Sequence, residues 1–216
     1  MLFDTILLDL DGTLTDSGPG ILNSVAYALD KFGRTGYTRE QLRPFIGPPL
    51  IESFKGFIPC SHDEAVRCLG YYREYFTSKG MFENSVYPGV KETLKELKRR
   101  GYSLVLATAK PELFSRQILD YFGLTEYLDA IHGATLDEKR NRKEQVIAWA
   151  LGHTPGIGKA VMVGDRENDI SGAKANALKS IGVLYGYGDR RELESAGADW
   201  IIERPHELLP LLESLG

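Results

Sequence analysis

The sequence predicts an α/β fold: a three-layer core built on a parallel β-sheet, with a small all-helical domain inserted into it. Two patterns support this prediction. Short apolar, β-prone segments alternate with helical patterns over most of the 216 residues, which is typical of a parallel sheet covered on both faces. Residues 17–84 break that alternation, because they show helical spacing and no comparable apolar strand.

The predicted strands and helices follow one another in a Rossmann-like succession. The first strand is the apolar run at residues 6–8, which leads into Asp9. Further strands are predicted at residues 102–108, 159–165 and 180–185, with weaker candidates around 130–131 and 199–202. Helical patterns occupy residues 90–100, 111–122, 143–151, 169–178 and 207–215.

The domain boundaries follow from the same patterns. We predict a core from residues 1–16 and 85–216, and a helical insertion from residues 17–84. The glycine and proline residues at 18–20 are expected to form a hinge where the chain leaves the core, and those at 88–89 the return.

Composition excludes several classes of function. The chain is 43% hydrophobic and 26% charged, with a formal net charge of -4, so it offers no basic surface for nucleic acid or anionic membranes. Asp4 and Asp9 flank the only apolar run near the N-terminus, which predicts neither a signal peptide nor a membrane span. Cys60 and Cys68 have no companion metal-ligand pattern and predict free thiols in a reducing, cytoplasmic compartment.

Asp9 and Asp11 lie at the end of the first predicted strand. Residues two apart in a strand point the same way, so both carboxylates can converge on one point. Ligands of open α/β sheets bind beyond the carboxyl ends of the strands, where this pair falls. The Asp11-Gly12 dipeptide is also typical of a hairpin turn, but no second strand follows it.

Thr108 and Lys143 are candidates for binding an anion. Thr108 ends the second strand just before a helix, where a hydroxyl and free amides can hold a phosphate oxygen. An ordinary capping threonine is the alternative. Lys143 begins a helix, where a positive charge opposes the helix dipole. Taken by itself, such a residue is by default a solvated surface lysine, and Arg140 and Arg142 are rivals for the anion-binding role.

Asp165 and Asp169 follow another apolar strand, in the segment VMVGDRENDI. Gly164 allows a tight exit from the strand, and Asp169 can reach back from the first helical turn or serve only as a helix cap. Carboxylates that converge at adjacent strand ends need a cation, and ligands that are all oxygen favour Mg²⁺.

Taken in order, these segments resemble the four motifs of the haloacid dehalogenase superfamily of phosphatases. DLDGT at residues 9–13 resembles the first motif, Thr108 the second, Lys143 the third, and GDREND at residues 164–169 the fourth. The position of the helical insertion and the sequence IGPPL resemble the phosphoglycolate phosphatase and 5′-nucleotidase branch. The third motif of many relatives reads Lys-Pro, whereas Glu144 follows here, so Arg142 remains an alternative.

The resemblance implies a role for each candidate. Asp9 would be the nucleophile, and Asp11 would protonate the leaving group and then deprotonate the attacking water. Mg²⁺ would be held by Asp9, the backbone carbonyl of Asp11, and Asp165, with Asp169 orienting a ligand. Relatives that cleave carbon–halogen bonds typically lack an acid at the position of Asp11. The phosphoryl oxygens would be held by Lys143, Thr108 and the amides near Gly12 and Ala109.

The predicted function is hydrolysis of a small phosphorylated metabolite by a magnesium-dependent phosphomonoesterase that is a monomer or small homo-oligomer. Phosphoglycolate, a nucleoside monophosphate, pyrophosphate and a small sugar phosphate remain open as substrates. The helical cap would close over the site and determine specificity, with Gly47, Pro48 and Pro49 as candidate contacts. The alternatives are a sugar phosphomutase of the same superfamily and a non-catalytic phosphate-binding signalling module.

Overall fold

The computed structural model describes residues 2–137 and 139–216. The chain forms two compact units: a core unit, which comprises the chain up to Thr15 and Val86–Gly216, and a helical unit, Asp16–Ser85. The strands are β1 (Thr5–Leu8), β2 (Thr15–Asp16), β3 (Ser85–Val86), β4 (Ser103–Pro111), β5 (Ala130–Ala134), β6 (Ala160–Gly164), β7 (Lys179–Val183) and β8 (Trp200–Ile202). The helices are α1 (Gly18–Lys31), α2 (Arg39–Leu42), α3 (Leu50–Phe57), α4 (His62–Ser78), α5 (Val90–Arg99), α6 (Glu112–Phe122), α7 (Lys143–His153), α8 (Glu167–Ala175), α9 (Arg190–Ala196) and α10 (Leu208–Ser214).

The core unit contains a parallel sheet with the strand order β5-β4-β1-β6-β7-β8, as far as the described residues extend. The α/β fold class with a three-layer, Rossmann-like core is therefore confirmed. The register places Leu8 of β1 beside Leu106 of β4 and Val163 of β6. As a result, the residues that follow these three strands lie at one edge of the sheet.

Alternation along the strands supplies a core on each face of the sheet. On one face, Leu7 and Val105 pack with Val146 of α7 and Ala173 of α8, and all four side chains are fully buried. The neighbouring positions, such as Leu104, face the other side and are also fully buried. The strands are apolar at successive positions because both faces of the sheet are covered.

Strand β5 is an edge strand whose outward backbone groups are covered by side chains. Arg116 donates a hydrogen bond to the Ile131 carbonyl at 3.1 Å, and Arg140 donates to the Gly133 carbonyl at 3.0 Å. The Gly133 amide donates to Glu112 at 3.4 Å. This edge is thereby protected against pairing with a further strand.

The helical unit is built around α1 and α4, which pack against each other. The expected hinge at residues 18–20 is wrong, because these residues form the first turn of α1. Pro19 is tolerated there since the first amides of a helix have no partner within it. Residues 47–49 directly precede α3, a helix that the sequence did not predict. Cys60 and Cys68 are free cysteines.

None of the helices within residues 2–137 and 139–216 has the length and apolar character that crossing a membrane requires.

Candidate active site

Asp9 lies directly beyond β1 at the centre of the sheet. Its amide donates to the Val163 carbonyl at 3.0 Å, and the residue is only 7% exposed. Leu10 faces the core and is fully buried. Gly12 has a φ of 85°, and a Cβ there would lie 2.1 Å from Oδ2 of Asp165. The turn after β1 therefore needs glycine, both for its backbone conformation and for the close approach of Asp165.

Lys143 is the first residue of α7, and its side chain contacts Asp9. Its Nζ lies 2.6 Å from Oδ1 of Asp9 and 2.6 Å from Oδ1 of Asp169, and it donates to the Ala107 carbonyl at 3.1 Å. The Lys143 side chain is 4% exposed, whereas that of Arg142 is 72% exposed. Of these two candidates, Lys143 is the one that lies against Asp9.

Asp165 and Asp169 complete a cluster of buried carboxylates with Asp9. One oxygen from each of the three side chains can be chosen so that all lie within 4.8 Å of one another. Asp165 accepts from the Thr13 hydroxyl at 3.3 Å and from the Tyr187 amide at 2.8 Å. Asp169 also accepts from the amide of Arg166 at 3.1 Å, so it caps α8 as well as facing Lys143.

The cluster carries more negative charge than its lysine can balance. Burial raises the pKa of Asp9 to about 6; Lys143 opposes this rise and the charge of Asp169 adds to it. Burial, followed by the charges of Asp169 and Asp9, raises the pKa of Asp165 well above its ordinary value. Burial by itself would lower the pKa of Lys143, but Asp169 and Asp9 outweigh it and raise that pKa.

The donor set fits a hard divalent cation. Three buried carboxylates lie together, and the buried ammonium group of Lys143 contacts two of them, Asp9 and Asp169. Carboxylate oxygens are the ligands that Mg²⁺ prefers. A bound cation would offset the carboxylate repulsion that adds to burial in raising the pKa values of Asp9 and Asp165.

We expect Mg²⁺ to stabilise the protein more at about pH 7.5 than at about pH 5. A carboxyl whose pKa is higher in the folded state contributes stability below its unfolded pKa and loses it as pH rises through the folded pKa, here about 6 for Asp9. The metal-free protein therefore loses this contribution on going to neutral pH, where Mg²⁺ can offset the ionised carboxylates. Thermal melts with Mg²⁺ or chelator at both pH values measure the difference, with Asp165→Asn as the comparison. An equal Mg²⁺-induced shift at both pH values would contradict this expectation.

Thr108 and Ala109 lie near the end of β4, at an irregularity in its pairing with β5. Thr108 is 1% exposed, and its hydroxyl accepts a hydrogen bond from the Lys110 amide at 3.2 Å. The Lys110 side chain was not among the predicted site residues, yet its Nζ lies 2.8 Å from Oδ2 of Asp11. Its position two residues after Thr108, at the end of a buried strand, is the signal that could have identified it.

The loop after β7 also contributes to the site, and the sequence did not predict this contribution. The Tyr187 amide bonds to Asp165, and a Cβ at Gly186 would lie 2.3 Å from the Gly12 carbonyl. Its sequence signal is the run YGYG at residues 185–188, directly after an apolar strand. The predicted Gly47, Pro48 and Pro49 lie in the helical unit, and their contact with substrate stays a prediction.

Comparisons with known proteins agree with this geometry. The family model of haloacid dehalogenase-like hydrolases matches residues 6–183. A 5′-nucleotidase from Pseudomonas aeruginosa is 39% identical over 89% of this chain and 88% of its own length. A phosphoglycolate phosphatase from Vibrio parahaemolyticus is 30% identical over 96% of this chain and 95% of its own length.

A solved structure is also similar to this chain. The crystal structure of a predicted phosphatase from Clostridium acetobutylicum superposes with a TM-score of 0.94 at 47% identity, and covers 99% of this chain and 100% of that one. The identity lies well above the range in which only the fold can be inferred. The chain thus belongs to the haloacid dehalogenase-like hydrolases and is a phosphatase of that family.

Proposed function

We propose that this phosphatase is a Mg²⁺-dependent phosphomonoesterase that hydrolyses a small phosphorylated metabolite through an aspartyl-phosphate on Asp9. The observation that carries the proposal is the position of Asp9. It is buried at the carboxyl end of the central strand, paired with Lys143 and clustered with Asp165 and Asp169. A carboxylate held in this way is oriented for attack, and the site is built to receive a charged group.

In the proposed first step, a carboxylate oxygen of Asp9 forms a bond to phosphorus while the bond between phosphorus and the ester oxygen breaks. Asp11 gives its proton to the departing oxygen. In the second step, water attacks the phosphorus of the aspartyl-phosphate and loses a proton to Asp11, which releases phosphate and restores Asp9. Division into two steps lowers the barrier of a very slow hydrolysis.

The remaining residues of the site would stabilise the negative charge of the phosphoryl group, either directly or through a bound metal ion. Mg²⁺ would be held by Asp9, the backbone carbonyl of Asp11, and Asp165, with Asp169 orienting a ligand, and when bound it supplies positive charge for the phosphoryl oxygens. Lys143, which already bonds to Asp9 at 2.6 Å, supplies a second positive charge beside the phosphorus. The proposed contacts to phosphoryl oxygens are Gly12, Thr108, Ala109 and Lys143.

For the substrate, we propose a phosphoglycolate-like compound or a nucleoside monophosphate. The 5′-nucleotidase and the phosphoglycolate phosphatase among the relatives support this choice. We assign specificity to the helical unit, including Gly47, Pro48 and Pro49, as a cap. We also propose a cytoplasmic monomer or small homo-oligomer without nucleic-acid partners, with the two free cysteines supporting a reducing compartment.

A panel of phosphate esters tests the proposal. With Mg²⁺, the purified protein should hydrolyse p-nitrophenyl phosphate and prefer either phosphoglycolate or a nucleoside monophosphate, and excess chelator should abolish the activity. Hexose 1-phosphate should give free phosphate. An isomerised sugar phosphate with little phosphate release would identify a phosphomutase instead, and activity that is insensitive to chelator would contradict the metal dependence.

A further inference from the structure

We propose that Lys110 is a positioning residue for Asp11, and that a bulge in β4 is built to place it. Its role would be to hold the Asp11 carboxylate toward the leaving group and away from the cluster of Asp9, Asp165 and Asp169. The proposal rests on the proposed function, because it takes Asp11 as the residue that exchanges a proton with the leaving oxygen.

The first observation is the ion pair itself. Nζ of Lys110 donates to both oxygens of Asp11, at 2.8 and 3.1 Å. The side chains of Lys110 and Asp11 are only 5% and 15% exposed. Pairs this well buried gain little net stability, since desolvation offsets their attraction. A role in orienting Asp11 accounts for the burial better than a role in stability.

The second observation is the backbone that presents Lys110. Strand β4 pairs with β5 through Thr108 with Gly133 and then Pro111 with Ala134, so two residues of β4 stand where β5 has none. Bulges of this kind redirect a side chain and are common beside active sites. The bulge is held by the Lys110 amide, which donates to the Thr108 hydroxyl at 3.2 Å. Ser115 donates to the Pro111 carbonyl at 3.1 Å.

The third observation is the glycine that faces the bulge. A Cβ on Gly133 would lie 2.7 Å from the Lys110 carbonyl and 2.6 Å from Cα of Glu112. Contacts this close to backbone atoms cannot be relieved by a side-chain rotation. The bulge can therefore approach β5 only because residue 133 lacks a side chain.

A physical reason for holding Asp11 follows from its spacing. Asp11 lies two residues from Asp9, and in a regular strand the two carboxylates would point the same way. A carboxylate free to turn toward a divalent cation would bind it and would no longer face the leaving oxygen. Lys110 supplies a competing charge, because its Nζ donates to both carboxylate oxygens of Asp11. It pairs with the carboxylate that Asp11 becomes after giving up its proton, so the orientation lasts until water attacks.

The test measures kcat/KM, which reports the step in which the leaving group departs, for a series of phosphate monoesters. We expect Lys110→Met to change kcat/KM by less than about threefold for p-nitrophenyl phosphate, whose leaving group needs no proton, and to lower it about 10²-fold for phosphoglycolate, an alkyl phosphate. Phenyl phosphate should fall between them. Asp11→Asn should show the same trend, and the double variant should be no slower than Asp11→Asn alone.

Matched variants separate this role from a general loss of structure. Lys98→Met removes another lysine–aspartate ion pair, with Asp129 at 2.6 Å, and should leave kcat/KM unchanged for every ester. Gly133→Ala should reproduce the trend of Lys110→Met by displacing the bulge. Gly152→Ala should not, because a Cβ at that glycine meets no atom within 4 Å. If Lys110→Met fails to fold, Gly133→Ala decides the question.

Two outcomes would overturn the proposal. An equal loss of kcat/KM for all esters, additive with Asp11→Asn, would mean that Lys110 acts on the phosphoryl group itself. Wild-type kcat/KM for phosphoglycolate in Lys110→Met would mean that Asp11 needs no partner. Failure of the proposed function would look different: the wild-type protein would lack Mg²⁺-dependent hydrolysis of every ester, whatever residue stands at position 110.

Discussion

Replacing Asp9 by Asn should lower kcat for phosphate ester hydrolysis by at least about 10³-fold. An amide has nearly the shape of a carboxylate but is not a nucleophile, so no aspartyl-phosphate forms. The substitution also removes one negative charge from the cluster of buried carboxylates. Lys143 keeps its ion pair with Asp169, at 2.6 Å. The variant should therefore fold and retain its helical content by circular dichroism.

Mass spectrometry of the acid-quenched reaction provides the direct measurement. A phosphoryl group should be found on the peptide that contains Asp9 in the wild-type protein and should be missing in Asp9→Asn. Asp4→Asn is the matched control, because Asp4 lies before β1 and bonds to the amide of Lys159 at 3.2 Å, outside the cluster. Activity of Asp9→Asn within about tenfold of wild type, or a phosphoryl group on another residue, would exclude Asp9 as the nucleophile.

Replacing Lys143 by Met should lower the free energy of unfolding by about 3–5 kcal/mol at neutral pH. Lys143 contacts both Asp9 and Asp169, and its removal leaves these buried carboxylates without that partner. The pKa of Lys143 is raised in the folded protein, so its stabilising contribution is complete below its unfolded pKa and is lost only above that value. At neutral pH the wild-type protein therefore has the whole contribution.

Lowering the pH should reduce the loss of unfolding free energy that Lys143→Met causes. Burial already raises the pKa values of Asp9 and Asp165. Loss of Lys143 removes the charge that opposes this rise at Asp9, so protonation at about pH 5 relieves the repulsion. Urea unfolding at about pH 5 and 7.5 measures both values. Lys98→Met, which breaks an exposed ion pair, should cost less than about 1 kcal/mol. If Lys143→Met lost no more unfolding free energy than Lys98→Met, or if its loss did not depend on pH, the expectation would be contradicted.

The fold could be predicted from the sequence because its main signals are local. Continuous apolar strands that alternate with helices specify a doubly covered parallel sheet, and motifs at strand ends then meet at one edge. Helix α9 was missed because it is short and mostly charged, with Leu193 as its buried residue. The exit hinge was misplaced because the Gly-Pro-Gly run of residues 18–20 is equally compatible with the first turn of a helix.

The parts of the site that the sequence did not reveal depend on distant contacts. The bulge that presents Lys110 exists through pairing with Gly133, which lies on the next strand. The amide of Tyr187 becomes a partner of Asp165 only when the loop after β7 folds back over the turn at Gly12. Arg142 and Lys143 could not be separated because a shift of one residue at a helix start exchanges an exposed position for a buried one.

The strand order has a consequence for how the protein acquires its activity. Strand β1 pairs with β4 and β6, so Asp9 meets Lys143 across 134 residues of sequence. Closing such long loops is slow compared with forming helices. During refolding, helix formation should therefore precede the return of phosphatase activity. During synthesis, Lys143 is added 134 residues after Asp9, so this contact can form only once the intervening chain has been translated.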